Sequence, residues 1–509
     1  MDYEILSLVL GGIALIIACL KCFCCIRNCN RKEDDLNPSD NVYLVNFSPE
    51  TYVHPNPDSG LINDHDHKFL FENLFLRDDT IREDDIVLML ALSVMMDDTV
   101  VETIDPECFL GFCGDHPELT CTLHSWMSTL FWKKSSTFQL SQHVITNGES
   151  DPEKVQQYLD SLPEKPFAKG APLWECISLP NYSSSKYHTK SAVVWRFHHT
   201  LGDGLAVFSL LNDFFDNNDS GKEIKYRENF KNLKPSKWTW NIWTFFQLIF
   251  VTPMESVFRL LKGFDSNPLT IRGHERNGEM VRCQNLVAMN IANLKRISRN
   301  AGSNITSVLS AGVAGAVGRI IEKRGGNLSQ DATSLYILPS LSSHPGTMMN
   351  NILVVPLRMP LSEENMEKRL AQISEQFRHV FNSPILVGAA AFYRGAGLIS
   401  GTLQKNVLFS NYGTVFHSNV ATFKENRFEL FGNPVEKIAP IVGLCQKSCS
   451  LSIATISYCG KMGIAITADK ALFGGKDELD RVINDIISEI SEIGYVCNLK
   501  REEVEMSLV

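Results

Sequence analysis

The chain has 509 residues, with 48 Lys and Arg against 58 Asp and Glu, a net charge of -10, and 44% hydrophobic residues. That is an ordinary globular balance with length for more than one domain-sized unit. The lack of a basic block excludes nucleic acid as the main partner, and the 32 Gly, the absence of heptad runs and 14 Cys over the whole length exclude collagen, coiled-coil and disulfide-scaffold classes.

Residues 5–26, opening at Ile5 and closing at Ile26, are interrupted by a single charge, Lys21, which can snorkel to an interface. The acidic Asp2 and Glu4 and the missing Ala-x-Ala site oppose a cleaved signal peptide, so residues 1–32 are expected to form a membrane anchor. Lys21, Arg27, Arg31 and Lys32 follow the apolar run and place the body in the cytosol. Cys19, Cys22, Cys24, Cys25 and Cys29 cluster there, with two readings: sites of S-acylation, or small apolar residues filling a membrane segment.

Residues 33–68 read as an acidic linker. From Glu33 to Glu118 there are 21 acidic residues and three basic ones (Lys68, Arg77, Arg82), a solvated surface that leaves the rest of the chain nearly balanced. Globular patterning starts near Phe69, and residues 69–225 are expected to form a first lobe. Residues 190–197 are β-branched and aromatic and predict a buried strand. Residues 203–215 carry Leu205, Phe208, Leu210, Leu211 and Phe214 at helical spacing. Residues 226–280 form a crossover. Within it, residues 231–264 run from Lys234 and Lys237 through Trp238, Trp240 and Trp243 to an apolar stretch ended by Pro253, which predicts an interfacial helix or a channel rim, against a crossover packed on the core. The second lobe, 281–509, has expected strands at 286–291, 334–341, 351–357, 451–458 and 462–468, the last pair joined by a tight turn at Cys459-Gly460-Lys461. Its expected helices are 303–323 and 477–493. The whole predicts a two-lobed α/β protein.

The sharpest local signal is His198-His199-Thr200-Leu201-Gly202-Asp203-Gly204, on the turn between the first lobe's strand and helix. A His-His-x3-Asp-Gly string arises by chance about once in a thousand chains of this composition. An imidazole titrating near neutrality is a natural base for an alcohol proton. His199 has the His-x3-Asp-Gly spacing and is the expected base; His198 and Asp203 are expected to fix the loop, Asp203 through a charge-assisted hydrogen bond. Gly204 permits close backbone approach where a bulky substrate passes. Cys108, Cys113, His116, Cys121 and His124 lack the Cys-x2-Cys knuckle and read as buried thiols and surface imidazoles, so no metal is expected. There is neither a Gly-x-Ser-x-Gly elbow nor a P-loop, so serine-hydrolase and nucleotide-driven ligase machinery is lacking.

This loop resembles the active-site signature of the wax ester synthase/diacylglycerol acyltransferase family, within the larger group of CoA-dependent acyltransferases and condensation domains. Pro172-Leu173-Trp174 resembles the family's Pro-Leu-Trp element. Trp132, Phe138 and Leu140 with His143-Val144 resemble the strand before it. Asn350-Asn351 followed by Val355-Pro356-Leu357 resembles its Asn-containing strand, and Ser418-Asn419-Val420 the start of its Ser-Asn-Val-Pro-Gly-Pro segment. The chain departs from that pattern at Ala421-Thr422-Phe423 and at Thr306-Ser307, where Pro-Gly-Pro and Asn-Asp are usual. The resemblance implies two chloramphenicol-acetyltransferase-like lobes with the active site in a tunnel between them. It also implies substrate contacts at Trp174, Gly204, Asn350, Asn351, Ser418 and Asn419, with Asn350 or Asn351 as the oxyanion donor. No cofactor is implied beyond acyl-CoA as co-substrate. The acceptor would be a long-chain alcohol or diacylglycerol, and the setting the endoplasmic reticulum or the plasma membrane. A lipid-binding or membrane-tethering protein on the same fold is the rival reading, based on the altered Ser-Asn-Val-Ala-Thr-Phe segment.

Overall fold

A computed structural model describes residues 42–44, 89–96, 104, 109, 113–114, 116–126, 129–163, 165–168, 170–199, 201–214, 265–270, 279–328, 332–339, 348, 350–382, 386, 413–420, 427–444 and 449–504. The expected anchor at residues 5–26, the linker 33–68 (apart from 42–44) and the whole of the aromatic segment 231–264 lie outside them, as does the departing Ala421-Thr422-Phe423.

In chain order the strands are β1 (Val42–Leu44), β2 (Met89–Met96), β3 (Cys121–Trp126), β4 (Thr129–Lys134), β5 (Val144–Thr146), β6 (Trp174–Leu179), β7 (Ser191–His198) and β8 (Met280–Asn290). They continue as β9 (Ala332–Pro339), β10 (Ile352–Met359), β11 (Val415–Val420), β12 (Glu429–Leu430), β13 (Asn433–Val442), β14 (Leu451–Tyr458) and β15 (Lys461–Asp469). The main helices are α1 (Pro152–Ser161), α2 (Gly204–Phe214), α3 (Ile291–Asn300), α4 (Ile305–Lys323), α5 (Met366–Asn382) and α6 (Lys476–Val496). One six-stranded sheet has the order β12-β13-β2-β7-β6-β5 and the other β10-β9-β11-β14-β15-β8; β1-β4-β3 form a small third sheet.

The mixed α/β architecture follows the periodicities in the sequence, with informative differences. The strand expected at 286–291 begins at Met280, because β15 pairs with it from Asn290 back to Met280. Its first half carries Arg282, Gln284 and Asn285, so ladder hydrogen bonds rather than hydrophobicity set its length. The helix expected from 303 starts at Ile305, where the Asn304 side chain accepts the Ser307 N–H at 2.8 Å and caps the first turn. The sheets also do not divide where the sequence does. β12 and β13, late in the chain, join the first sheet through antiparallel pairing of β13 with β2. Two tyrosine hydroxyls then tie the sheets together. Tyr458 of β14 donates to the Val435 carbonyl at 2.7 Å and accepts the Phe428 N–H at 3.0 Å, while Tyr187 accepts the Leu286 N–H of β8 at 3.2 Å.

α4 is the core helix of the second lobe. It is the one helix among the described residues with the length and apolarity to cross a membrane, and it is mostly buried. Its Ala311-Gly312-Val313-Ala314-Gly315-Ala316 run lets α6 and α5 approach closely, and Glu489 of α6 is enclosed there with Arg319 and Arg369 as its ion-pair partners. A Cβ on Gly315 would collide with the Glu489 carboxylate and the Arg369 guanidinium. A buried carboxylate needs both cations, so that space is not available to a methyl group. Gly315→Ala is expected to destabilise the protein by about 1–3 kcal/mol in urea unfolding. Gly318→Ala, whose Cβ meets only Leu361 at 3.8 Å, is expected to be neutral or slightly stabilising in the same assay.

Candidate active site

Every residue of β7 is buried, and its two faces feed two apolar clusters: Val193, Trp195 and Phe197 on one side, Ala192 and Val194 on the other. On the second face Arg196 pairs with Glu175, its register neighbour on β6, and lies over the Phe167 ring at 4.1 Å. His198 follows on the same face as the strand ends. Its backbone N–H donates to the Leu173 carbonyl at 2.9 Å, so the Pro172-Leu173-Trp174 element holds the end of β7.

The chain then turns through His199 and, after Thr200, which lies outside the described residues, enters α2. Asp203 caps that helix: its Oδ1 accepts the N–H groups of Leu205 and Ala206, both at 2.9 Å. Its Oδ2 accepts the backbone N–H of Asn351 at 2.7 Å, from the strand lead-in of the second lobe. Next to it the Asn350 side-chain amide donates to the His199 carbonyl at 2.7 Å. All four residues are buried, and His199 is only 6% exposed. The His loop is therefore gripped from both lobes at once, with Gly204 half-buried at the first position of α2.

Burial sets the electrostatics. It pushes His198 down to about 3, helped by the neighbouring His199 and Arg196 charges. Burial lowers His199 as well, and here the Asp203 carboxylate and the Asn350 side chain oppose the shift. Both imidazoles are neutral at physiological pH, and His199 is the one whose protonated form has a counter-charge nearby.

The other expected site residues are placed differently. Trp174 is fully buried opposite Phe197, its indole N–H donates to the Leu119 carbonyl at 2.7 Å, and it stacks on His143 and Phe109 with ring centroids 5.0 and 5.9 Å apart. That packing makes it a wall that positions the loop. The His143 Nδ1 lies 2.7 Å from the Trp174 carbonyl, an acceptor, so the proton is on Nδ1. Asn419 of β11 accepts from the Thr455 hydroxyl at 2.9 Å and donates to Thr306 at 3.5 Å, which ties β11, β14 and α4 together; Ser418 is half-buried beside it. Thr306, one of the departures from the family pattern, thus has a partner in the Ser-Asn-Val segment. Sequence reasoning missed His417, two positions before Asn419 and on the same strand face. It is buried against Tyr336 at 4.9 Å and pushed down to about 4 by desolvation. Strict alternation along β11 was the available signal. A groove of about 710 Å³ runs between α1 and the start of α6, where Lys476 pairs with Asp160 and Lys470 with Glu279. Among the described residues no group of three or more His, Cys, Asp or Glu is arranged to hold a metal ion.

Parts of the chain are similar to known proteins. Residues 349–493 match the family model of the WS/DGAT C-terminal domain. A wax ester synthase/diacylglycerol acyltransferase of Arabidopsis thaliana is 35% identical over 77 residues, 14% of this chain and 15% of that protein's length, so the plant match spans a small part of its relative. A probable diacylglycerol O-acyltransferase of Mycobacterium tuberculosis is 19% identical over 409 residues, 74% of this chain and 85% of that protein. The solved wax ester synthase/diacylglycerol acyltransferase of Marinobacter aquaeolei superposes with a TM-score of 0.55 at 12% identity, covering 86% of this chain and 100% of that one, which establishes the shared fold.

The cap makes a clear prediction. Asp203→Asn replaces one acceptor oxygen by an NH2 group facing the donors that the carboxylate now satisfies. A loss of about 1–3 kcal/mol in unfolding free energy is expected. Unchanged thermal stability in that variant would remove Asp203 from its structural role.

Proposed function

We propose that the chain belongs to the wax ester synthase/diacylglycerol acyltransferase family, which the match of residues 349–493 and the similarity to named acyltransferases support, and that it transfers a fatty acyl group from acyl-CoA to the hydroxyl of a lipophilic alcohol, with His199 as general base. The observation that carries the reading is a buried, neutral His199 imidazole beside the Asp203 carboxylate, on a loop held from both lobes. A neutral imidazole accepts the hydroxyl proton as the alcohol oxygen attacks the thioester carbonyl; the imidazolium formed is stabilised by Asp203. Collapse of the tetrahedral intermediate forms the ester and expels the CoA thiolate, which takes the proton back from His199. No acyl-enzyme is required. His198, with its low proton affinity, stays neutral throughout and fixes the end of β7.

The acceptor is a long-chain alcohol, giving a wax ester, or diacylglycerol, giving triacylglycerol; the names of the relatives cover both. Both substrates reach His199 along a tunnel between the lobes, a route that its position at their junction supports. The anchor at residues 5–26 and the aromatic segment 231–264 keep the enzyme on the cytosolic face of the endoplasmic reticulum, or of the plasma membrane, where such lipids partition. A tethering protein that binds lipid without turnover is the second reading. The segment that motivates it, Ala421-Thr422-Phe423, leaves the His loop intact.

His199→Ala is expected to lower acyl transfer from labelled acyl-CoA by about 10²–10⁴-fold, with His198→Ala retaining a measurable remainder. Because the neutral imidazole is the working form and its pKa is lowered, kcat/KM should rise with pH, inflect below 6.5 and stay level through neutrality. Full activity in His199→Ala ends the assignment of the base, and a full chain without transfer to any long-chain alcohol or diacylglycerol favours tethering. Deletion of residues 1–32 is expected to leave a protein that still partitions in part to membranes but is released by salt or alkali. A fully soluble truncation would assign residues 231–264 to the core instead.

A further inference from the structure

α4 and β11 are joined directly at one level, where the Asn419 amide donates to the Thr306 hydroxyl at 3.5 Å. One step along the seam the next polar pair stands differently. Ser310 follows Thr306 by one helical turn on the same face of α4, and His417 precedes Asn419 by two residues on the same face of β11. Four helical residues and two strand residues cover nearly equal lengths, about 6 and 7 Å. Ser310 and His417 accordingly line the same small cavity. Ser334 of β9 joins them there: it pairs in register with Val415, two residues before His417, and so shares that face of the sheet.

All three residues are buried, and Ser310 Oγ, Ser334 Oγ and His417 Nε2 have no hydrogen-bond partner in the protein. The other polar side chains lining the cavity are committed. Gln376 accepts the Arg358 N–H and donates to the Arg358 carbonyl, both at 2.9 Å, and the Arg358 guanidinium donates to Asp265 at 3.2 Å. Buried polar atoms are paired as a rule, so three open ones around one cavity imply a shared ligand. The volume decides which. At about 10 Å³ the cavity is at the lower limit for one water and excludes larger molecules. Burial pushes His417 down to about 4, so its ring is neutral at physiological pH. Nε2 is then either a bare acceptor or an N–H, and a water answers both, since the two serine hydroxyls rotate to supply the role it still lacks. We propose that a single structural water bonds Ser310 Oγ, Ser334 Oγ and His417 Nε2 and forms the second rung of the α4–β11 seam, beside the direct Thr306–Asn419 bond. This site does not depend on the acyl-transfer reading.

The test combines a crystal structure of the full chain, at a resolution that orders internal waters, with urea unfolding of Ser310→Ala and Ser334→Ala. One isolated density peak is expected within about 2.7–3.2 Å of all three atoms. A cavity without that peak overturns the proposal, as does a side-chain rotation that sets His417 directly on either serine. In unfolding, the sign discriminates. A hydroxyl bonded to a held water loses that bond on truncation, so each alanine variant should unfold with an equilibrium constant roughly 2–10-fold larger. A buried hydroxyl with nothing to bond is a burden whose removal leaves the constant unchanged or lowers it, and that result in either variant also overturns the proposal. If an alanine variant does not fold, the wild-type density decides alone.

Discussion

The Asp203 carboxylate holds three backbone N–H groups, two from its own helix and one from the opposite lobe. Each is a charge-assisted bond in a buried place, where leaving a donor unpaired is costly. The geometry of the whole site depends on this anchor. The cap fixes where α2 begins, the start of α2 fixes the length of the turn, and the turn fixes where His199 stands after β7. The bond to Asn351 then sets the second lobe against that turn, and Asn350 closes on the His199 carbonyl. A carboxylate can do this because it accepts at both oxygens; an amide or a hydroxyl at 203 could not satisfy the same set of donors.

The same burial that makes these bonds strong shapes the acid–base behaviour. Two adjacent imidazoles in a dry site repel when charged, and Arg196 adds to that pressure on His198. The outcome is a division of labour: His198 is locked neutral in the sheet, and His199, nearer the carboxylate, keeps the greater capacity to take a proton. Arg196 itself is tolerated in the sheet interior because Glu175 stands directly across the ladder from it. Around this centre the lobes are fastened by bonds between side chains and backbone. Tyr458, Tyr187, Asp203 and Asn350 each reach a peptide group on the other side, so the junction depends little on the identity of the residues whose backbone is used.

Local signals in the chain were strong where one face or one spacing governed the outcome. The strand before the His pair, the helix after it, the β14–β15 turn and the closing helix α6 all follow from hydrophobic period and turn chemistry, which act over a few residues. The His-His-x3-Asp-Gly spacing also pointed to the cap, because a capping Asp must directly precede its helix. Trp174 and Asn419 were legible as positions and not as roles: the indole of one and the carboxamide of the other are used up in packing and in cross-strand hydrogen bonds.

The sequence by itself determined the mixed α/β class and the strand–turn–helix that carries His198, His199 and Asp203, since composition, period and short spacings are local properties. Only the tertiary structure decided that β12 and β13 cross into the first sheet, that Asn351 offers its backbone to Asp203, and that the Asn350 side chain donates to the His199 carbonyl. These are contacts between residues about 150 or more positions apart in the chain. Nothing in a local window encodes them, because a backbone N–H looks the same at every residue and finds its partner only when the lobes close.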